Sequence, residues 1–263
     1  MTDDALRPVA VISGGASGIG QVVALALQDA GYVLFVLDSN AHQVSRFCEA
    51  HGEGSALVCD VSSVDQVDRA FQEFAERHQR LDVLVNNVGI AGPHGSLETL
   101  AVEDWQRTID VDLNSLFYVT RHAIPVMKRQ EAGVIINMAS NAGLQGCPMR
   151  SPYAAAKWAT VGLTKTWAMD LGPWNIRVNA LCPGSVEGER IDGVIARDAA
   201  QRGVTAEAIR QVYQRQSSLQ RFIKPESIAA MVVFLAGPGG EAISGQAIAI
   251  DGHTETLANW MTP

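Results

Sequence analysis

Tyr153 and Lys157, four residues apart in Ser151-Pro152-Tyr153-Ala154-Ala155-Ala156-Lys157, are the clearest candidates in this chain for proton transfer. On a helix that spacing puts both side chains on one face. An ammonium beside a phenol favours the phenolate, the form in which a tyrosine takes a proton from an alcohol near neutral pH. Many surface helices carry such a pair; what strengthens this one is Ser140, 13 residues before Tyr153, just past the apolar run Val134–Met138. A second centre is the turn Ser13-Gly14-Gly15-Ala16-Ser17-Gly18-Ile19-Gly20. Glycines between a strand and a helix let backbone approach a pyrophosphate, and the helix N-terminus offers it free N–H groups and partial positive charge. Asp38 follows Gly20 by 18 residues, near the spacing at which a carboxylate accepts hydrogen bonds from an adenosine ribose. It would repel a 2′-phosphate, and neither Ser39 nor the loop residues Ala16 and Ser17 bring a compensating cation. NAD is favoured over NADP.

The elements that must hold these groups read as alternating strands and helices. Apolar runs lie at Val9–Ser13, Tyr32–Asp38, Ala56–Val61, Val83–Asn86, Val134–Met138, Arg177–Ala180 and Gln246–Ile250. Helical patterns lie near 19–30, 41–51, 63–78, 103–130, 152–171 and 225–236. Such alternation predicts an α/β, doubly wound Rossmann fold: a seven-stranded parallel sheet with helices on both faces. Ser151 suits the N-cap of the catalytic helix and Pro152 its first position. No composition break marks a linker, so residues 1–263 read as one domain. Residues 187–222 carry Glu187, Arg190, Asp192, Arg197, Asp198 and Arg202 with no good strand. They read as one or two helices inserted after a strand's carboxyl end, a substrate lid.

Taken in order, these pieces resemble the classical short-chain dehydrogenase/reductase family. The resemblance runs from Val9 to about Gly252 and adds Asp60-Val61, Asn86-Asn87-Val88-Gly89 and Pro183-Gly184-Ser185-Val186. It implies Tyr153 as general acid/base, Ser140 on the substrate oxygen, and Lys157 on the nicotinamide ribose and the Tyr153 phenolate. It implies cofactor contacts from Gly14, Ser17, Gly18, Ile19 and Gly20 in the loop, and from Asp38. Asp60 and Val61 would bracket the adenine, Asn87 and Gly89 would line the ribose side, and Pro183, Gly184 and Val186 would lie at the nicotinamide. Three positions depart from the family pattern. Asp112 stands where an Asn is usual, seven residues after Trp105, with Asn114 two residues later as the alternative occupant. In the family that position acts through its main-chain carbonyl, which a carboxylate would preserve while favouring a charged Lys157. Val88 replaces a commoner Ala, and Gly188 stands where a Thr often bonds the cofactor amide.

Substrate contacts are expected from the loops at the strand ends, with His94, Asn141, Gln145 and Arg150 as candidates. The polar character of that region leans toward a sugar, polyol or hydroxy acid. The leading function is an NAD-dependent oxidoreductase interconverting a secondary alcohol and a ketone. The alternatives are an NADPH-preferring carbonyl reductase of 3-oxoacyl type and a non-catalytic NAD-binding regulator. The resemblance also implies a homotetramer, pairing helices 103–130 and 152–171 across one interface and the segment from Pro225 to Gly252 across another.

Length and composition agree. The 263 residues are 47% hydrophobic and 18% charged, as for a folded globular chain. A net charge of −8 argues against general affinity for nucleic acid or anionic membranes. No apolar run approaches the roughly 20 residues of a membrane span. The acidic start Met1-Thr2-Asp3-Asp4 is unlike a signal peptide. Cys48, Cys59, Cys147 and Cys182 include no C-x-x-C pair, so the expectation is reduced thiols in a cytoplasmic enzyme without a metal.

Overall fold

Seven strands form one sheet in the order β3-β2-β1-β4-β5-β6-β7, every neighbouring pair parallel. They are β1 (Val9–Ser13), β2 (Val33–Asp38), β3 (Ala56–Val58), β4 (Val83–Asn86), β5 (Gly133–Met138), β6 (Ile176–Pro183) and β7 (Ala247–Ile250). The computed structural model describes residues 7–257. Helices α1 (Gly18–Asp29), α2 (Ala41–His51), α3 (Val64–Arg77), α4 (Val102–Ile109), α5 (Ser115–Gln130), α6 (Ser151–Leu171), α7 (Glu189–Arg202), α8 (Ala206–Arg215) and α9 (Pro225–Ala236) complete it. No helix among the described residues is long and apolar enough to cross a membrane.

The alternation along β1 shows why both faces must be covered. Ala10 and Ile12 join a core with α1 and α9 (Val23, Leu27, Ile228, Val232), while Val9 and Val11 join one with α3 and α5 (Val67, Phe74, Val119, Met127). Successive strand residues point to opposite faces, so an almost unbroken apolar run is what a doubly covered strand requires. The chain order reverses direction between β1 and β4, which opens the crevice where such sheets bind ligands.

A buried polar chain ties this centre together. Asn86 on β4 donates through Nδ2 to Thr120 Oγ1 and Asn137 Oδ1, each at 2.9 Å, and Asn137 on β5 donates to Thr164 Oγ1 at 3.0 Å. It links two central strands to α5 and α6, which pack on the same face of the sheet.

Four expectations are corrected. The strand expected over Ala56–Val61 ends at Val58, because Cys59 bends toward the Asp38 carbonyl and Asp60 enters a turn capped by Ser62. The strand expected to stop at Ala180 continues to Pro183, paired with β7. The helix expected over 103–130 contains a π-helical turn, Asp110–Asn114, between α4 and α5. Ser151 lies inside the first turn of α6 and Arg150 takes the cap position, so no side chain caps this end. The segment 187–222 holds two helices, α7 and α8, with a small apolar core of Ile195, Ala199, Ile209 and Phe222.

Candidate active site

The carboxyl ends of β1, β4 and β5 deliver the chemistry-bearing residues to one crevice. Lys157 on α6 is 3% exposed, and its ammonium donates to the Met138 carbonyl at the end of β5, Nζ to O 3.1 Å. The same ammonium lies 5.6 Å from the centre of the Tyr153 ring, so the helical spacing does bring the pair together. Ser140 lies two residues past the end of β5; its Oγ accepts from the Ala142 N–H and donates to Asn141 Oδ1, both at 3.2 Å.

Asp112 is fully buried beside this group. Its Oδ1 accepts the Ile90 N–H at 2.7 Å, while Oδ2 faces Lys157 Nζ at 3.6 Å and has no hydrogen-bond partner. The π turn explains the placement, since one extra residue per turn redirects side chains relative to a regular helix, a distortion common at functional sites. Asn114, the alternative occupant, donates instead to Asp110 Oδ1 at 2.7 Å. A buried carboxylate oxygen without a partner, one ion-pair length from a buried ammonium, is costly to leave unbalanced.

On the other side of the crevice the glycine turn fits a pyrophosphate. Gly14 holds φ +63°, and a Cβ on Gly20 would sit 1.9 Å from the Gly14 carbonyl oxygen. The loop is closed too tightly there for any side chain. Gly18 and Ile19 open α1, and the exposed Ser17 precedes them as N-cap with its hydroxyl unused. Asn87 commits its amide to the Ser13 and Gly14 carbonyls, at 3.2 and 2.9 Å, so it braces the turn rather than projecting a free side chain. Ser13 Oγ in return accepts the Asn87 and Val88 N–H groups.

Asp38, at the end of β2, accepts from the Ala16 N–H at 3.2 Å and the Asn40 N–H at 3.0 Å. A carboxylate offers about four acceptor sites, so half its capacity stays available. Beyond β3, Val61 is buried and Asp60 accepts from Ser62 and lies 3.7 Å from Arg107. Partial burial works against its ionisation, but the Ser62 hydrogen bonds and the Arg107 guanidinium outweigh it and hold the carboxyl below its ordinary value. Pro183 ends β6, the Gly184 N–H donates to the Ile250 carbonyl, and Val186 pairs with Ile223 in a short parallel bridge. The Cys182 thiol beside them is pushed up to about 11 by burial, which leaves it protonated and inert.

The expected substrate residues divide. Asn141 is buried against Ser140. His94 faces α7, Nδ1 to Gln201 Oε1 2.9 Å, and Arg150 donates to the Ala91 carbonyl at 3.1 Å. Gln145 points elsewhere, donating to the Thr254 carbonyl at 3.3 Å. The structure gives two further residues of the segment 187–222 a place at the crevice. Arg190 at the start of α7 donates to the Gly89 carbonyl at 3.2 Å, and the partly buried Tyr213 on α8 lies near Arg150. The only sign of them in the sequence is the density of arginines between 187 and 222.

Fold and site together define an oxidoreductase of the doubly wound nucleotide-binding class. The family profile described as "Enoyl-(Acyl carrier protein) reductase" matches residues 14–253. The chain belongs to the short-chain dehydrogenase/reductase family. It is 38% identical to a trans-4-hydroxycyclohexanecarboxylate dehydrogenase of Sinomonas cyclohexanicum, over 98% of this chain and 96% of that one. Among solved structures it is similar to a single-substitution variant of actinorhodin polyketide ketoreductase with NADPH (TM-score 0.89, 32% identity, 96% of this chain and 98% of that one). It is similar also to an NAD+-bound xylitol dehydrogenase (TM-score 0.86, 27% identity, 92% and 97%).

Proposed function

We propose that this chain is an NAD-dependent dehydrogenase/reductase that interconverts a small secondary alcohol and its ketone, with Tyr153 as general acid/base. The observation that carries the reading is the buried Lys157 ammonium, held between Asp112, the Tyr153 ring and the carbonyl of Met138, the last residue of β5 and two before Ser140. When bound, the nicotinamide cofactor accepts hydride from the alcohol or donates it to the ketone. The protein's part is positioning and proton transfer. Ser140 Oγ turns from Asn141 to the substrate oxygen, and Tyr153 Oη takes the alcohol proton or returns it to the ketone oxygen. Lys157 supports the phenolate and holds ribose hydroxyls. Asp112 faces Lys157 Nζ at 3.6 Å and fixes the Ile90 backbone across from it.

Gly14, Ser17, Gly18, Ile19 and Gly20 would hold the pyrophosphate, Asp38 the adenosine ribose, and Asp60 and Val61 the adenine. Gly89, Pro183, Gly184 and Val186 would line the nicotinamide half, with Asn87 bracing the loop from behind. The preference for NAD rests on the Asp38 carboxylate, whose charge opposes a 2′-phosphate. The NADPH complex of the ketoreductase supports a second reading, an NADPH-preferring reductase of 3-oxoacyl type. We take residues 187–222 as the substrate lid of a single domain. We take the enzyme as a cytoplasmic homotetramer; exposed Phe117 on α5 and Trp158 on α6, 53% and 50% accessible, lie on the helices expected at one subunit interface and support the association.

Tyr153→Phe tests the core of the proposal. Turnover of any alcohol or ketone should fall by about 1,000-fold or more, while NADH binding, followed by its fluorescence, stays within a few-fold of wild type. Retained turnover would remove Tyr153 as the acid/base.

A further inference from the structure

The loop after β4 and helix α7 enclose a cavity of about 360 Å³ whose wall includes His94, Arg150, Arg197 and Asp198. Arg150 sits at the cap of α6, three residues before Tyr153, so this cavity adjoins the first turn of the proposed catalytic helix. Its charge is lopsided. Asp198 is its one carboxylate, 6% exposed and already held by Arg202 Nε at 2.8 Å on the next turn of α7. Two guanidinium groups remain. Arg150 uses a donor on the Ala91 carbonyl, leaving most of its five-donor fork open. Arg197 has no hydrogen-bond or ion-pair partner among the described residues, although it lies on a helix rich in acids. His94 is fixed by Gln201 and adds a polar edge.

A concave wall with two arginine forks and its only acid already paired is suited to a carboxylate, which guanidinium groups bind bidentately. We infer that this cavity receives a carboxylate carried by the substrate at the end away from its reacting carbon, making the chain a dehydrogenase of hydroxy acids and a reductase of the matching keto acids. The inference rests on the alcohol–ketone reading above and narrows its substrate. Arg197 and Arg150 are specificity-determining residues on this view, and His94 orients by hydrogen bonding.

The test pairs each of acetoacetate and levulinate with its methyl ester and follows reduction by NADH and by NADPH. Wild-type enzyme should favour at least one acid over its ester by about tenfold or more in kcat/KM. Arg197→Leu, an exposed position that the fold tolerates, should lower that acid-to-ester ratio by about tenfold or more, and Arg197→Lys should restore part of it. Esters used as well as their acids, or a ratio unmoved in Arg197→Leu, overturns the inference. So does a wild-type enzyme that reduces neutral ketones but none of the keto acids, and in that case the alcohol–ketone reading survives. If no ketone of either kind is reduced with either cofactor, that reading has failed and the carboxylate site falls with it.

Discussion

On the nucleotide side of the crevice the contacts are made with backbone: Gly20 against the Gly14 carbonyl, the Asn87 amide on two carbonyls of the turn, Asp38 on two N–H groups. On the lid side they are long, partly exposed side chains reaching single carbonyls or one another, as with Arg190 on Gly89, Arg150 on Ala91 and His94 on Gln201. The first kind cannot relax without moving the sheet edge. The second costs little to break, since an exposed hydrogen bond contributes about 1 kcal/mol or less. On the proposed reading, a shared cofactor would meet a rigid surface and the variable substrate one that can be rearranged.

Substitutions on the two sides should therefore differ in scale. The largest effect is expected from Gly20→Ala, whose Cβ would meet the Gly14 carbonyl oxygen at 1.9 Å. Affinity for dinucleotide should drop by about 100-fold or more, seen by NADH fluorescence titration, with a lower melting temperature. An affinity within a few-fold of wild type would show that the turn is as pliant as the lid. Asp38→Ala should act next: NAD affinity weakens by about tenfold and the NADH-to-NADPH ratio of kcat/KM moves toward unity. An unchanged ratio would place cofactor selection elsewhere. The smallest shift belongs to Arg190→Ala on the lid side. KM for substrate should rise by only a few-fold, with thermal stability altered by about 0.5 kcal/mol or less. A loss as deep as that of Gly20→Ala would erase the contrast between the two sides.

The same contrast governs what can be read from the residues alone. The seven strands, the glycine turn and the Tyr153–Lys157 pair are legible because each is a local pattern, whether an apolar run, a glycine spacing or an interval of four on a helix. The role of Arg197 is not. It shares a cavity with Arg150 only because α7 and the cap of α6, far apart in the chain, face that space together, and no local spacing records this. The end of β3 misleads because Cys59 and Val61 are buried and read as strand, while the turn around Asp60 depends on Ser62 and Gln66. Counting from Trp105 reaches Asp112, the carboxylate beside Lys157, yet the counting assumes a regular helix. The π turn, which no propensity announces, is what buries Asp112 beside Lys157 and leaves Asn114 to Asp110.

That turn also sets a rule of length. A regular helix advances about 100° per residue. Deleting any one residue from Asp110 to Asn114 would make α4 and α5 one ordinary helix, and local propensity would improve. The price is phase: either Thr120, Ala123 and Met127 would rotate away from β4 and β5, or Asp112 would rotate away from Lys157. The outer face of this long rod is free to vary in composition, but its residue count is locked by what its two ends must touch.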